Sequence, residues 1–390
     1  MMKKEVKIYF LLAALLTVNL FFILFIGRNI YPIHLAPQNI LASDLIGITT
    51  HLPNVLISIL GLGNLIFLWL ISKRFFKGYA ALIVPAIYAI SPWSSYLTAA
   101  GSFYVFLLFL LMVFTYSLIL IRDGSSALGA ILFLASSLTA VYSSVFFLIL
   151  IPLYVALVIL FKIIPTKNIK KLVVIFAFLI IPIIFLILKN ATSFKNVVQN
   201  EITVFKDPGL VNTANQFQGE AEKSGLKILA RLSENKYLFY SETLLLKYTD
   251  QLVPVTFFTP QYKLLNFSFT PPIFLGFLIP FLYGFYLSAI NPNTRKFLYM
   301  STLFVVPSVL AKNIISLDRL VLFLPVVIFI IVWGLIHMFE LKKRKLIKCL
   351  LALSFVLVIF QLLVTMSDIK TREKLRFESY YGNKYEITEQ

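Results

Sequence analysis

Charged residues are scarce in this sequence, and acids are the scarcer sign. Only 13% of the residues are charged and 59% are hydrophobic, whereas soluble globular domains carry about 25% charged residues. This composition excludes a string of soluble domains, and its hydrophobicity excludes a disordered chain. Lys and Arg number 35 while Asp and Glu number 17, so the formal net charge is +18. A surplus of this kind can indicate a nucleic-acid-binding protein, unless the basic residues separate apolar runs too long for a soluble core.

Cysteine and the motifs of soluble enzymes are equally rare. The one cysteine, Cys349, excludes an intrachain disulfide and Cys-based metal sites, and its place in an apolar run predicts a packed thiol. No phosphate-binding loop, dinucleotide-binding fingerprint or zinc-protease motif occurs in the sequence. The three histidines, at 34, 51 and 337, do not make a convincing metal site.

Long apolar runs are what the sequence has in abundance. A helix that crosses a bilayer needs about 20 mostly apolar residues. About eleven segments are candidates, of which the fifth and the ninth are short: 8–26, 52–72, 79–96, 103–121, 127–141, 143–161, 172–188, 271–290, 297–311, 320–339 and 349–366. The first is predicted to be a retained anchor, because its apolar core is too long for a signal peptide. Gly61 and Gly63 in the second predict close helix packing.

The positions of Lys and Arg in the short loops give the predicted orientation. With the N-terminus in the cytoplasm, the cytoplasmic segments contain Lys3, Lys4, Lys7, Lys73, Arg74, Lys77, Arg122, Lys162, Lys167, Lys170, Lys171, Arg295, Lys296, Lys342, Lys343, Arg344, Lys345 and Lys348. The short loops of the other side contain only Arg28, Lys312 and Arg319. The basic surplus is therefore an orientation signal in a plasma (inner) membrane protein, and no nucleic-acid partner is expected.

The spans predict an all-α polytopic membrane protein with about 11 transmembrane helices. Its parts, in chain order, are an N-terminal transmembrane module of about seven spans, an outer-side loop region, a C-terminal transmembrane module of about four spans, and a polar tail on the outer side: 1–188, 189–270, 271–366 and 367–390. Within the loop region, helix-like spacing of apolar residues occurs at 226–232 and 238–246, which favours helices along the membrane surface.

Several short motifs resemble one family of membrane enzymes by their order along the chain. Lys73-Arg74-Phe75-Phe76 precedes a short span that ends in Ile90-Ser91-Pro92-Trp93, and Val306-Pro307, Asp318-Arg319-Leu320 and Leu324-Pro325 follow later. This order resembles the GT-C superfamily of polyprenyl-phosphate-sugar-dependent membrane glycosyltransferases, in particular the relatives of protein mannosyltransferases and of the lipid A aminoarabinose transferase. The resemblance covers most of residues 1–340.

The resemblance implies an inverting transfer of a sugar from a polyprenyl-phosphate donor to an envelope lipid, glycan or protein on the outer side. Arg319 is the expected contact to the donor phosphate, because an arginine at the outer mouth of a span can bind a phosphate through two hydrogen bonds. Lys312 and Lys263 are expected to add positive charge to the same pocket. The alternative for Arg319 is an interface residue that snorkels to the headgroups or pairs with Asp318.

The general base is the part of the family pattern that this sequence matches least. The family carries an acid early in the first outer loop, where this chain has Gln38 and Asn39, and Asp44 is the one carboxylate left in that loop. Asp44 is either the base that takes the acceptor proton or a helix N-cap. Acids near the base can help to hold a divalent metal in the family, but no clear ligand set is present here, so the cofactor stays unassigned.

Three functional hypotheses follow for the chain. It is an active glycosyltransferase with altered geometry, or a degenerate relative that serves as a binding or scaffold partner in envelope assembly. A lipid or glycan flippase is the third hypothesis, which the scarcity of polar residues within the spans disfavours.

Overall fold

A computed structural model describes residues 2–29, 54–99, 101–189, 202, 208–223, 236–259, 271–311, 317–341 and 345–371. Every regular element in these ranges is helical, which confirms the predicted all-α class. The α-helices are α1 Met2–Asn29, α2 Asn54–Ser72, α3 Ala80–Ile90, α4 Pro92–Ala99, α5 Phe103–Asp123, α6 Ser126–Ser143, α7 Val145–Leu160, α8 Thr166–Lys189, α9 Pro208–Lys223, α10 Lys236–Leu252, α11 Pro254–Phe258, α12 Leu278–Ile290, α13 Pro292–Ser301, α14 Val306–Val309, α15 Leu317–Leu320, α16 Leu324–Glu340 and α17 Lys345–Thr371. Short 3-10 turns precede α12, α14 and α16.

Apolar length is what makes many of these helices suited to a bilayer. Among the described residues, five helices are long and apolar enough to cross a membrane, and the number rises to seven if each of two bent pairs is one span. The five are Val6–Phe25, Val55–Ser72, Phe103–Asp123, Asp318–Glu340 and Lys345–Ser367. Two shorter apolar helices, Ala127–Ser143 and Val145–Leu160, lie between them in the chain.

One predicted span is broken by a proline. The segment 79–96, predicted as a single span, contains α3 and α4, whose axes differ by 54°. Ser91, which precedes Pro92, is extended with ψ of 123°, because a residue before proline avoids the helical region. The break leaves backbone groups in the interior of the bundle that need partners from elsewhere in the chain.

Glycines allow the closest helix contacts. A Cβ at Gly61 would meet Thr98, and one at Gly63 would meet Phe109, so the predicted close packing of this segment is confirmed. A second contact is tighter, since a Cβ at Gly334 in α16 would overlap the carbonyl oxygen of Pro280. The backbones of α12 and α16 therefore touch, which only glycine permits.

The periphery exposes apolar side chains. In α17, Leu346, Phe355 and Phe360 are all more than 60% exposed, as expected of a helix whose outer face meets lipid. Cys349 lies on the same helix and is exposed. The expectation of a packed thiol was therefore wrong, because an apolar run in a membrane protein faces lipid as readily as it faces protein.

The bundle has two chemically different ends. Arg74 forms an ion pair with Asp123, and the Nζ of Lys296 donates to the carbonyl oxygen of Phe161 at 3.4 Å. Lys73 and Arg74 after α2, Arg122 at the end of α5 and Lys296 in α13 thus lie at one end of the bundle, which we call the basic end. At the opposite end, called the loop end, α5 and α7 begin and α10 docks.

Candidate functional site

The loop end contains a helix that the bundle partly buries. Helix α10 covers and extends the predicted segment 238–246, and its C-terminal half packs against residues 302–311. Leu245 and Leu246 face outward, at 63% and 56% exposure, whereas Gln251 is fully buried. One face of α10 is therefore docked on the bundle. The other predicted segment, 226–232, lies outside the described residues.

Lys247 is the central residue of this contact. It is only 7% exposed, and its Nζ donates to the carbonyl oxygen of Ala311 at 3.1 Å. One residue further on, the hydroxyl of Tyr248 donates to the carbonyl oxygen of Thr302 at 3.4 Å. Burial of an ammonium group costs several kcal/mol unless polar partners replace water, and the carbonyl oxygen of Ala311 is one such partner.

Arg319 lies beside the same segment. Its Nη1 donates to the carbonyl oxygen of Pro307 at 3.3 Å, and its guanidinium carbon is 5.0 Å from the centroid of the Phe146 ring. A planar guanidinium stacks readily on an aromatic face while it donates hydrogen bonds in its own plane. The local sequence produces this placement, because α15 is a single short turn and Pro325 opens α16.

The two cations converge on one short stretch of backbone. Lys247 binds the carbonyl of Ala311 and Arg319 binds that of Pro307, so both lie at the residues around α14. Two positive groups in the low-dielectric part of a membrane protein attract an anion, and the carboxyl group of Asp318, which interacts electrostatically with Arg319, opposes this attraction in part.

The Ser91-Pro92-Trp93 motif lies beside this region and connects the broken span to another segment of the chain. The Oγ of Ser91 and the backbone N–H of Trp93 both donate to the carbonyl oxygen of Pro272, at 3.1 and 3.2 Å. Trp93 is fully buried, with its ring centroid 6.1 Å from that of Phe257. The chain segments around Phe257 and Pro272 are thus buried beside the broken span and supply partners to its backbone and side chains.

Of the four predicted site residues, one lies within the part of the chain that the structure describes. Arg319 lies at the loop end beside α14, as described above. Asp44, Lys312 and Lys263 all lie outside the described residues, so the structure does not place them with Arg319. Among the residues that the structure does describe, no group of three or more His, Cys, Asp or Glu side chains could hold a metal ion.

Sequence reasoning missed Lys247. A signal for it was present, since Leu244, Lys247, Tyr248 and Gln251 follow the i, i+3, i+4, i+7 spacing of one helix face. Two polar residues on the face that also carries Leu244 and Tyr248 indicate a polar contact with the rest of the protein. Loop lysines are usually solvated, and that expectation concealed the pattern.

Neither the models of known protein families nor the curated protein sequences match this chain.

Proposed function

We propose that this protein is an integral membrane glycosyltransferase of the GT-C type, with about eleven passes through the plasma (inner) membrane. In this topology the basic end faces the cytoplasm, as the distribution of Lys and Arg predicts. The loop end, the 189–270 region and the C-terminal tail then face the outer side. The donor is a polyprenyl-phosphate sugar and the acceptor an envelope lipid, glycan or protein.

One observation supports this proposal most, namely the pairing of a buried lysine and a stacked arginine at the loop end. Lys247 and Arg319 are bound to carbonyl oxygens of the same short stretch, at 3.1 and 3.3 Å. An ammonium group has three N–H donors and a guanidinium group five, and both types of group bind phosphate oxygens. Together they can hold the phosphate of a lipid-linked donor and stabilise the charge that it gains as it leaves.

The proposed reaction is a single displacement at the anomeric carbon. The acceptor hydroxyl oxygen attacks this carbon, the bond from the carbon to the phosphate oxygen breaks, and polyprenyl phosphate leaves with inverted stereochemistry at the sugar. The acceptor loses its proton to a carboxylate, a role that the resemblance gives to Asp44. Lys247 and Arg319 act on the leaving group and not on the acceptor.

A second candidate function rests on a different observation. Arg319 and the Ser91-Pro92-Trp93 motif both serve internal contacts, with Pro307, Phe146 and Pro272. Residues that resemble catalytic motifs can persist because they hold the fold together. A chain of this kind would keep the lipid-binding architecture without transfer, and would act as a binding or scaffold partner in envelope assembly.

A transfer assay distinguishes the two candidates. The full-length protein in proteoliposomes is given labelled polyprenyl-phosphate sugars and membrane-extract acceptors, as wild type, Asp44→Asn and Lys247→Met, with Lys171→Met, at an exposed lysine of α8, as the control. An active enzyme transfers label in the wild type and in the control, and loses at least about tenfold in Lys247→Met. Absence of transfer, together with retained binding of polyprenyl phosphate, identifies the non-catalytic candidate. Unchanged activity in Asp44→Asn removes that residue from the mechanism.

A further inference from the structure

The basic end contains an apolar cavity that the proposed transfer does not use. It has a volume of about 180 Å³, and its walls include Ile71, Phe76, Phe304, Phe329, Ile330 and Trp333. Few polar groups reach it, and among them the hydroxyl of Thr294 is bonded to the carbonyl oxygen of Ser288. Apolar cavities of roughly 150 Å³ stay dry and take up hydrocarbon ligands in soluble proteins.

A second, smaller cavity continues the first toward the charged rim. Its volume is about 80 Å³, and it shares Phe75, Thr115, Tyr154 and Phe297 with the first. Arg122 is one of its lining residues. An apolar space and a cationic side chain thus adjoin within one groove between the helices.

The rim of this groove carries more positive than negative charge. Arg74 and Arg122 both bind Asp123, at 3.2 and 3.1 Å, and Lys296 adds a third cation. The single carboxylate neutralises one of the three charges, so this cluster keeps a net charge of two. The arginine side chains are 40% and 29% exposed, which leaves them accessible to a headgroup.

We propose that this groove binds one anionic phospholipid of the adjacent leaflet, with an acyl chain in the paired cavities and its phosphate at Arg122, Arg74 and Lys296. The aromatic and aliphatic walls match a hydrocarbon chain in chemistry. The net positive rim matches an anionic headgroup, and basic pockets between transmembrane helices are a recurrent form of headgroup site. A zwitterionic lipid of the same chain length fills the cavity equally well but gains less at the rim.

This site is separate from the loop end. Its occupant is a structural or regulatory lipid and not the sugar donor, because the donor phosphate in the proposed reaction lies near Lys247 and Arg319. Each of the two proposals can therefore be tested without the other.

Lipid binding by the full-length protein tests the inference. The detergent-solubilised protein is delipidated and titrated with phosphatidylglycerol or phosphatidylcholine of identical chains, and bound lipid is counted by native mass spectrometry. The wild type is expected to bind one phosphatidylglycerol with an affinity at least about tenfold higher than that for phosphatidylcholine. Arg122→Gln is expected to abolish that preference, while Lys171→Gln, an exposed lysine of α8 outside the groove, leaves it unchanged.

A second variant tests the chain-binding part. Thr115→Phe fills the space shared by both cavities and is expected to weaken both lipids by a similar factor. Its unfolding temperature and elution volume show whether it is folded, and Arg122→Gln remains the decisive variant if it is not. Equal binding of the two lipids by the wild type, or an unaltered preference in Arg122→Gln, would overturn the proposal.

Discussion

The two ends of the bundle hold their cations in opposite ways. At the basic end, Arg74 and Arg122 share the carboxylate of Asp123 and stay partly exposed. At the loop end, Lys247 is buried and donates to a backbone carbonyl, and Arg319 is stacked on Phe146. Exposed ion pairs contribute about 0–1 kcal/mol to stability, so the charges of the basic end add little to the stability of the fold. A buried ammonium group costs much more to desolvate and needs polar or anionic partners, which is why the phosphate of the sugar donor is assigned to the loop end.

The bundle can be divided into a loop half and a basic half, each named after the end that it contains, and the two halves differ in their backbone. The loop half contains the proline break at Ser91, the buried segment at Pro272 that contacts it, and the short helix α14. The basic half has aromatic side chains around a cavity, among them Phe75, Phe297 and Phe329. Irregular backbone within a membrane protein occurs where it is buried in protein or lines a functional cavity. We infer that buried contacts hold the irregular backbone of the loop half in place, and that the cavity makes the basic half more tolerant of side-chain truncation.

The largest expected effect comes from removing the tryptophan of the loop half. Trp93→Ala is expected to destabilise the protein by about 3–5 kcal/mol, because the ring is fully buried at the joint with Phe257. Trp333→Ala in the basic half should cost clearly less, since Trp333 is half-buried and already borders a cavity. Unfolding curves in mixed micelles measure the stability of both variants. Equal losses of stability would show that the two halves tolerate truncation equally.

The next effect separates stability from binding at Lys247. Lys247→Met keeps the length of the side chain, removes a buried charge and breaks its hydrogen bond to Ala311, so stability should change by at most about 3 kcal/mol. Binding of polyprenyl phosphate should nevertheless fall by about tenfold or more. Isothermal titration in nanodiscs and thermal unfolding of the same samples provide the two readouts. A variant that unfolds at much lower temperature would show that Lys247 serves the structure instead.

A smaller effect is expected from a conservative change at the second cation. Arg319→Lys preserves charge but loses the planar fork and the stacking on Phe146. The affinity for polyprenyl phosphate should fall by about three- to tenfold. Arg122→Lys is the matched substitution at the basic end and should leave that affinity unchanged. If both substitutions lower the affinity equally, polyprenyl phosphate does not bind selectively at the loop end.

The smallest effect is expected at the exposed ion pairs. Asp123→Asn removes the carboxylate shared by Arg74 and Arg122, and the loss of stability should be at most about 1 kcal/mol. Raising the salt concentration should reduce even this difference, because exposed charges are screened. A large, salt-independent loss would mean that the basic end is as dependent on its charges as the loop end.

The helical class was predictable from the apolar runs, because a 20-residue apolar stretch leaves the backbone no alternative in lipid. The close approach of Gly61 and Gly63 to their neighbours followed from the same reasoning. The break at Ser91 was less visible, since hydropathy is continuous from 79 to 96 and only Pro92 marks the bend. Hydropathy reports which residues avoid water and is insensitive to a change of direction.

The site was harder to predict than the fold. Arg319 stood out by its place at the mouth of a span, but its contacts with Pro307 and Phe146 depend on helices far apart in the sequence. Lys247 has its partner 64 residues away, in a segment with no motif of its own. Pairings of this kind are set by tertiary packing, and a single sequence does not encode them as a local pattern.

Photocrosslinking with a photoreactive polyprenyl phosphate tests the central claim most directly. The full-length protein in proteoliposomes is irradiated with the probe, and the labelled peptides are identified by mass spectrometry. Our account predicts labelling in 236–252 and 306–320, which excess unlabelled polyprenyl phosphate competes away and Lys247→Met sharply reduces. Labelling confined to 71–76, 112–122 or 294–301 at the basic end, or labelling at the loop end that Lys247→Met leaves unchanged, would contradict it.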